Sequence, residues 1–221
     1  MKSKFHHEQI YRGEDALSKV ARAKIMVCGA GTIGSNLIDT LARQGFTNLS
    51  VIDKDRIDIH NINTQVWDEN EVGAVKVVAL KNRVFRSTKI TLNTVFKELN
   101  QGNAQQLLKG FNLIVDAFDN SESRSLVQSV SRGMNTPCIH AGLFADYGEV
   151  VWDSRYKVPA NVAGDVCDYP LARNLAMIVT SILAEEVVGF CASSTPDPRS
   201  WSVTLRDLQI KRLNLTGVNN V

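Results

Sequence analysis

The stretch that decides the fold runs from Lys24 to Asp53 and reads KIMVCGAGTIGSNLIDTLARQGFTNLSVID. Its first five residues, Lys24–Cys28, are mostly apolar, as in a buried parallel strand. A glycine turn follows, and then a helix from about Thr32 to Gln44, whose apolar residues recur at helical spacing. A second strand, Leu49–Ile52, ends at Asp53. The stretch therefore predicts a strand, a crossover helix and a second parallel strand.

The turn between the first strand and the helix, Gly29–Gly34, matches the pattern G-x-G-x-x-G. The first glycine allows the tight turn, the second lets backbone N–H groups approach a phosphate, and the third lets the helix pack against the strand. Asp53 stands 19 residues after Gly34, where a carboxylate can bind ribose hydroxyls. We predict nucleotide binding here, although the glycines could serve packing alone and the motif does not separate NAD from ATP. The predicted nucleotide-binding residues of the turn are Gly29, Gly31, Thr32, Ile33 and Gly34.

Beyond Asp53, predicted helices and strands continue to alternate. This alternation is typical of an α/β, Rossmann-like fold with a mostly parallel open sheet and helices on both faces. After Gly142 the predicted strands lack crossover helices between them, so we expect antiparallel or mixed strands at the C-terminal side. The predicted helices are Glu71–Phe85, Ala104–Lys109, Glu122–Arg132 and Asp168–Gly189; the strands are Ile90–Val95, Asn112–Asp116, Pro137–His140, Glu149–Asp153, Trp201–Leu205 and Gln209–Leu213.

Composition favours a single domain over residues 1–221, with a helical segment at 1–23 and a flexible tail at 214–221. The 25 basic and 23 acidic residues leave no broad basic field for nucleic acid. The longest apolar run lies within Leu175–Ala184, which is too short to cross a bilayer. The four cysteines form no C-x-x-C pair, and the polar first residues carry no secretory signal, so we expect a cytoplasmic protein.

The residues after the glycine turn depart from the pattern of a plain dehydrogenase. Asp53–Gln65 reads DKDRIDIHNINTQ, which resembles the Asp-x-Asp and Asn-x-Asn-Arg-Gln motifs of the ThiF/MoeB/HesA family, the ubiquitin-activating-enzyme-like adenylating proteins. Further similarities follow in the family's order: VGAVK at Val72–Lys76, DAFDN at Asp116–Asn120 with Arg124 beyond it, and Ala141-Gly142. Each motif alone is weak, but their shared order is specific, and the resemblance extends over about residues 14–186.

The resemblance implies ATP-dependent adenylation of a carboxyl group, most often the C-terminal glycine of a ubiquitin-like or sulfur-carrier protein that ends in Gly-Gly. The carboxylate attacks the α-phosphate of ATP, so the site must neutralise charge and align two anions. The resemblance assigns Lys76 to the phosphates and Asp119 to Mg²⁺, which prefers oxygen ligands. It assigns Asp53 to the ribose, with Asp55 in support. It also implies a homodimer and assigns nucleotide contacts to the neutral side chains Asn61, Asn63, Gln65 and Asn120.

Ordinary structural roles compete with these assignments. Lys76 could be a solvated helix lysine. Asp119 and Asn120 are well placed to cap the following helix. Asn61 and Asn63 could be turn residues.

The sequence departs from the family pattern in its cations. Thr64 replaces an arginine that meets the phosphates, which removes a charge-assisted contact. Glu8 takes the place of a second family arginine, which lies near the N-terminus and reaches a neighbouring subunit's site. Arg12 is a candidate substitute for this second arginine and is included among the predicted catalytic residues. Lys54 and Arg56 are candidates for the arginine absent at Thr64.

The cysteines give one more catalytic candidate and exclude one metal. The two C-x-x-C pairs that bind zinc in many relatives are missing, so we expect no zinc. Cys167 precedes a predicted helix, where its thiol could react with an activated partner or remain inert. Cys28, Cys138 and His140 lie in or beside core strands, where packing explains them better.

Other functions remain open from the sequence. Because Thr64 and Glu8 replace arginines, the chain could be a non-catalytic subunit that binds nucleotide or partner. An NAD-dependent oxidoreductase explains the glycine turn and Asp53 but not Lys76 or Asp119. A tRNA-modifying dehydratase would keep the adenylation and change the substrate.

Overall fold

The computed structural model describes residues 2–160, 170–193 and 200–213, and within these it contains one eight-stranded sheet. The strand order is β3-β2-β1-β4-β5-β6-β7-β8. The first five strands in this order are parallel, and the last three add antiparallel pairs, as the sequence predicts. The strands are β1 Lys24–Cys28, β2 Asn48–Asp53, β3 Asn93–Phe96, β4 Leu113–Asp116, β5 Cys138–Phe144, β6 Tyr147–Trp152, β7 Ser200–Thr204 and β8 Gln209–Leu213.

Successive side chains of a strand point to opposite faces of the sheet. Because the buried side chains of β1 are apolar on both faces, helices pack on both sides and form two cores. Ile25 and Val27 belong to the larger core, with residues of α3, α4 and α7. Met26 and Cys28 point to a smaller core, with residues of α5 and α6. The helices are α1 His6–Arg12, α2 Glu14–Arg22, α3 Thr32–Arg43, α4 Lys76–Thr88, α5 Ala104–Leu108, α6 Ser121–Gly133 and α7 Arg173–Ser193.

Helix α7 is the longest helix among the described residues, with 21 residues. By length and composition alone this helix is long and apolar enough to cross a membrane. The shorter apolar run at 175–184, considered by itself, is not. Most of α7 is buried against the rest of the fold, chiefly against α2, α3 and β6, and such burial is typical of a core helix. Its Glu186 is buried and accepts bonds from the indole N–H groups of Trp152 at 3.0 Å and Trp201 at 2.7 Å.

Two predicted helix starts are wrong, and both changes affect the site. The helix predicted from Glu71 begins at Lys76, because Gly73 adopts φ +87° and Val75 forms a β-bridge with Arg56. The helix predicted from Asp168 begins at Arg173. Pro170 and Ala172 lie outside it, and Leu171 forms a bridge with Ala145.

Candidate functional site

Three groups of predicted site residues lie together at the carboxyl ends of β1, β2 and β4. In an open parallel sheet this edge is where ligands bind. The glycine turn follows β1, Asp53 ends β2, and the turn Asp116–Asn120 follows β4. The backbone joins these segments, since Gly29 N–H donates to Ile52 O at 2.8 Å and Ala117 N–H donates to Cys28 O at 2.9 Å.

The glycine turn has the geometry that its three glycines predict. Gly29 adopts φ +102° and faces the carbonyl of Ala117, which lies 2.9 Å from the position of a Cβ. Gly34 lies so close to the Gly29 carbonyl oxygen that a Cβ would stand 1.9 Å from it. At Gly31 a Cβ would meet nothing within 4 Å. The middle glycine therefore borders open space at the start of α3, where a phosphate can approach the helix N-terminus.

Asp53 is buried and holds the glycine turn. Its two carboxylate oxygens accept the N–H groups of Ala30 and Asp55, each at 2.6 Å. Burial raises the pKa of Asp53, while the N–H of Ala30 and the charge of Lys76 act in the lowering direction. Asp53 therefore shapes the turn, and ribose binding by its remaining lone pairs stays a prediction.

The loop after β2 is held against the start of α3. The hydroxyl of Thr64, at the position of the family arginine, lies 2.9 Å from the hydroxyl of Thr32. Asn36 donates to the carbonyls of Thr64 and Thr32, at 2.8 and 2.7 Å. Where the family has a cation, Thr64 therefore provides neutral hydrogen bonds to the first two turns of the helix that follows the glycine turn.

Two of the predicted amide ligands have structural duties in this loop. Asn61 is buried, and its Oδ1 accepts the N–H of Asp58 at 3.0 Å, which caps the 3-10 helix Ile59–Asn63. The Oε1 of buried Gln65 accepts the indole N–H of Trp67 at 2.6 Å. Asn63 is exposed and lines a cleft of about 390 Å³. The turn-residue alternative therefore describes Asn61 well, and the nucleotide contacts of all three remain predictions.

Arg173, which sequence reasoning missed, lies at the same loop. From the first turn of α7, its Nη1 donates to Gln65 O at 3.1 Å and Asn63 O at 3.4 Å, the carbonyls on either side of Thr64. It also lines the cleft beside Asn63. A position more than 100 residues away in the chain gives no local sequence signal for this contact.

Lys76 is not a solvated helix lysine. It is the first residue of α4, and only 7% of it is exposed. Its backbone N–H donates to Asp55 O at 3.0 Å, and its Nζ lies 3.4 Å from Asp55 Oδ2. That carboxylate is itself about half exposed, with a side-chain exposure of 54%. A buried ammonium carries three donors, so this loose contact leaves donors for an anion.

The turn after β4 presents one exposed carboxylate. Asp119 is exposed, and Asn120 Nδ2 lies 3.4 Å from its Oδ1. Asn120 caps α6, because its Oδ1 accepts the N–H of Ser123 at 2.8 Å. The capping alternative is therefore confirmed for Asn120, while Asp119 has no role in the cap and keeps carboxylate oxygens that face solvent.

A magnesium ion fits this donor set as part of a nucleotide complex. Within residues 2–160, 170–193 and 200–213, no cluster of three or more His, Cys, Asp or Glu side chains could hold a metal ion. Mg²⁺ commonly takes one or two carboxylates and completes its shell with phosphates and water. Asp119 supplies one such carboxylate.

The three candidate substitutes for the missing arginines lie in other contacts. Arg12 forms ion pairs with Glu8 and Glu185, each at 2.6 Å, and its side chain is 13% exposed. Lys54 pairs with Glu98 at 2.6 Å, and Arg56 donates to the carbonyl of Gly73 at 2.8 Å. Their roles at the site remain predictions.

The predicted cysteines divide into two groups. Cys28, Cys138 and Cys191 are buried and free, as the sequence predicts for the first two. Burial raises the pKa of Cys191 to about 12. The candidate catalytic Cys167 lies outside the described residues.

A buried ionic cluster stands directly behind the Asp119 turn. His140 is fully buried, as predicted, but it is more than a packing residue. Its Nδ1 lies 2.8 Å from Asp116 Oδ2 and its Nε2 lies 3.2 Å from Asp153 Oδ1. Its ring stacks on Tyr156 with centroids 3.8 Å apart. Arg124 of the family pattern donates to Tyr156 Oη at 2.7 Å.

The chain is similar in sequence to known proteins. The profile of the ThiF family matches residues 6–215. The SUMO-activating enzyme subunit 2 of Dictyostelium discoideum is 28% identical over 153 residues, which cover 68% of this chain and 23% of that protein. The sulfur carrier protein adenylyltransferase of Thermus thermophilus is 25% identical over 151 residues, or 66% of this chain and 56% of that protein.

Solved structures show the same fold. The crystal structure of E. coli MccB with ATP has a TM-score of 0.81 and 18% identity, and the match covers 96% of this chain and 72% of that one. The chain spans roughly a quarter to a half of the curated relatives first matched, with shares from 23% to 56%.

Proposed function

Because this chain belongs to the ThiF family, we propose that it binds ATP with Mg²⁺ and adenylates the C-terminal carboxylate of a ubiquitin-like or sulfur-carrier protein. Adenylyltransferases of such carriers are among its relatives. In the proposed reaction a carboxylate oxygen attacks the α-phosphorus of ATP. The bond between the α- and β-phosphates breaks, pyrophosphate leaves, and the carrier becomes an acyl-adenylate.

The observation that supports this proposal best is the environment of Lys76. A buried ammonium with one loose carboxylate contact is costly unless an anion completes its hydrogen bonds. The positive charge of Lys76 also acts to lower the pKa of buried Asp53, the residue that holds the glycine turn. A triphosphate that lies along the start of α3 would come within reach of both the helix N-terminus and this ammonium.

The proposal gives Asp119, Asp53 and Arg173 one task each. Asp119 would hold the Mg²⁺ ion, which would supply charge stabilisation to the transferring group. Asp53 would bind the ribose. Arg173 donates to the carbonyls on either side of Thr64, so we assign it the charge that Thr64 lacks. A cytoplasmic homodimer completes the proposal: the cysteine pattern favours the cytoplasm, and the family resemblance implies the dimer.

The test is ATP–pyrophosphate exchange with small carrier proteins that end in Gly-Gly, and with the same proteins shortened by these two residues. We expect exchange only with the intact carriers. We expect Lys76→Ala to lower it by about 100-fold or more, since removing one stabilising donor typically costs that much. Lys81→Ala is the matched control, because Lys81 lies on the same helix and is exposed.

The metal assignment of Asp119 is tested with Asp119→Ala, and its control is a substitution at Glu122, an exposed acidic residue three positions further along the chain. Asp119→Ala should abolish Mg²⁺-dependent exchange, and Glu122→Ala should leave it within about twofold, as expected of a surface residue. Exchange that persists in Asp119→Ala would contradict the metal assignment. Carrier binding without exchange in the wild type would favour the second candidate, a non-catalytic partner-binding subunit, which the replacement of two arginines by Thr64 and Glu8 supports.

A further inference from the structure

The cluster around His140 contains a charge that packing does not require. His140, Asp116 and Asp153 are brought together from β5, β4 and the residue that follows β6. His140 and Asp116 are each 0% exposed. A buried carboxylate without a cation would be strongly unfavourable; Asp116 has the His140 ring at 2.8 Å and also interacts electrostatically with the buried Arg124 guanidinium.

The hydrogen-bond geometry defines the protonation state of the His140 ring. Both ring nitrogens face carboxylate oxygens, at 2.8 Å and 3.2 Å. A neutral imidazole has one N–H, whereas the imidazolium has two, so only the charged ring donates to both oxygens. Burial alone would lower the pKa of His140, but the bonds to Asp116 and Asp153, with a further contribution from the Cys138 thiol, raise it to about 11.

The two bonds of His140 have different consequences. Asp116 begins the turn that carries Asp119, and its Oδ1 accepts the N–H of Phe118 at 3.2 Å. Asp153 instead binds α6, where its two oxygens accept from Gln128 at 2.9 Å and Arg132 at 2.7 Å. Asp153 therefore keeps strong partners without His140, while the orientation of Asp116 depends on it.

We propose that His140 is a positioning residue of the nucleotide site: its Nδ1–H fixes Asp116, and Asp116 in turn fixes the backbone turn that presents Asp119 to the metal. This role rests on the proposed function of Asp119.

Two substitutions separate the bonds of the ring. The side-chain amide of asparagine places its N–H₂ near the position of histidine Nδ1, and that of glutamine reaches the position of Nε2. His140→Asn thus keeps a donor for Asp116, and His140→Gln keeps one for Asp153. Both remove the positive charge, so a purely structural role predicts similar effects from the two.

The readout is binding of a fluorescent ATP analogue at rising Mg²⁺ concentration, with no carrier protein present. We expect His140→Gln to raise the half-saturating Mg²⁺ concentration about tenfold, the usual lower bound for loss of an outer-shell partner. His140→Asn should stay within about threefold of the wild type. Binding without Mg²⁺ should be equal in both, because the change acts through Asp119. Thermal unfolding of both variants is measured alongside.

Asp116→Asn gives a second route to the same step if His140→Gln does not fold. It should shift the Mg²⁺ dependence as His140→Gln does, and in the double variant the shifts should not add. Equal shifts in His140→Asn and His140→Gln, or no shift in either, would overturn the positioning role. Absence of Mg²⁺-dependent ATP binding in the wild type would instead count against the proposed function.

Discussion

Gly34→Ala tests the packing that creates the nucleotide turn. The new Cβ would stand 1.9 Å from the Gly29 carbonyl oxygen and 2.9 Å from its carbon. Ordinary non-bonded contacts lie near ~3.5 Å, so the turn must retreat from α3 by more than about 1 Å. Overpacking of this kind costs about 1–3 kcal/mol. Because both clashing atoms belong to backbone, which cannot rotate away, we expect a cost at the upper end.

A gain in helix propensity offsets part of this cost. Alanine is favoured over glycine inside a helix by about 0.5–1 kcal/mol. The free energy of unfolding should therefore fall by about 2 kcal/mol, the difference between the overpacking cost and this gain. At about 2–4 °C per kcal/mol for a domain of this size, the melting temperature should fall by about 4–8 °C. Urea denaturation and thermal unfolding measure both quantities.

Gly31→Ala is the matched control. Nothing lies within 4 Å of a Cβ at Gly31, so the cost is that of an alanine at the N-cap, about 1 kcal/mol or less. The same methyl would occupy the space through which a phosphate approaches, so ATP binding should weaken while the fold survives. A Gly34→Ala protein with wild-type unfolding free energy would refute the reasoning, because it would mean that α3 and the turn are not in contact.

Two further predictions concern buried charge. Glu186→Gln replaces one acceptor with a donor, so one of the two indole N–H groups, of Trp152 or Trp201, loses its acceptor at position 186. Urea denaturation should show that the free energy of unfolding falls by about 1–3 kcal/mol. In the control Glu185→Gln, at an exposed neighbour, it should fall by about 1 kcal/mol or less, and equal losses would refute the burial argument. The pKa of His140 is raised from 6.5 to about 11 on folding, so its stabilisation is complete below its unfolded pKa and is lost as pH rises towards the folded one. The stability advantage of the wild type over His140→Asn should therefore decrease progressively as pH rises from 7 to 10, and a constant difference in unfolding free energy across this range would contradict the charged state.

The sequence was most informative where its signals are local. Strand β1, the glycine turn and α3 follow from one contiguous pattern, and the observed helix Thr32–Arg43 ends one residue before the predicted one. Gly45, the second residue after this helix, adopts φ +105°, the left-handed conformation common for a glycine just beyond a helix C-terminus. Such features depend on neighbours in the chain, so periodicity and glycine placement suffice to predict them.

Contacts between distant segments leave no local signal in the sequence. The helix that carries Lys76 starts five residues later than predicted because the Val75–Arg56 bridge competes with helix formation. Burial of Lys76 follows from that start, and the sequence pattern contains no sign of it. His140 was correctly placed in the core, but its ionic role depends on Asp116 and Asp153, whose carboxylates converge only in the folded sheet.

Position 64 shows why a motif departure does not by itself decide activity. An arginine there would bring one positive charge to the phosphates, and Thr64 brings a hydroxyl bound to Thr32. Yet a guanidinium still lies at this loop, since Arg173 is anchored by one nitrogen, Nη1, to the carbonyls that flank Thr64. In the proposal, Arg173 on α7 supplies the charge that the loop lacks, while the Thr32–Thr64 contact joins the loop to the start of α3. On this proposal the substitution changes which element supplies the cation, and adenylation does not need an arginine in the motif.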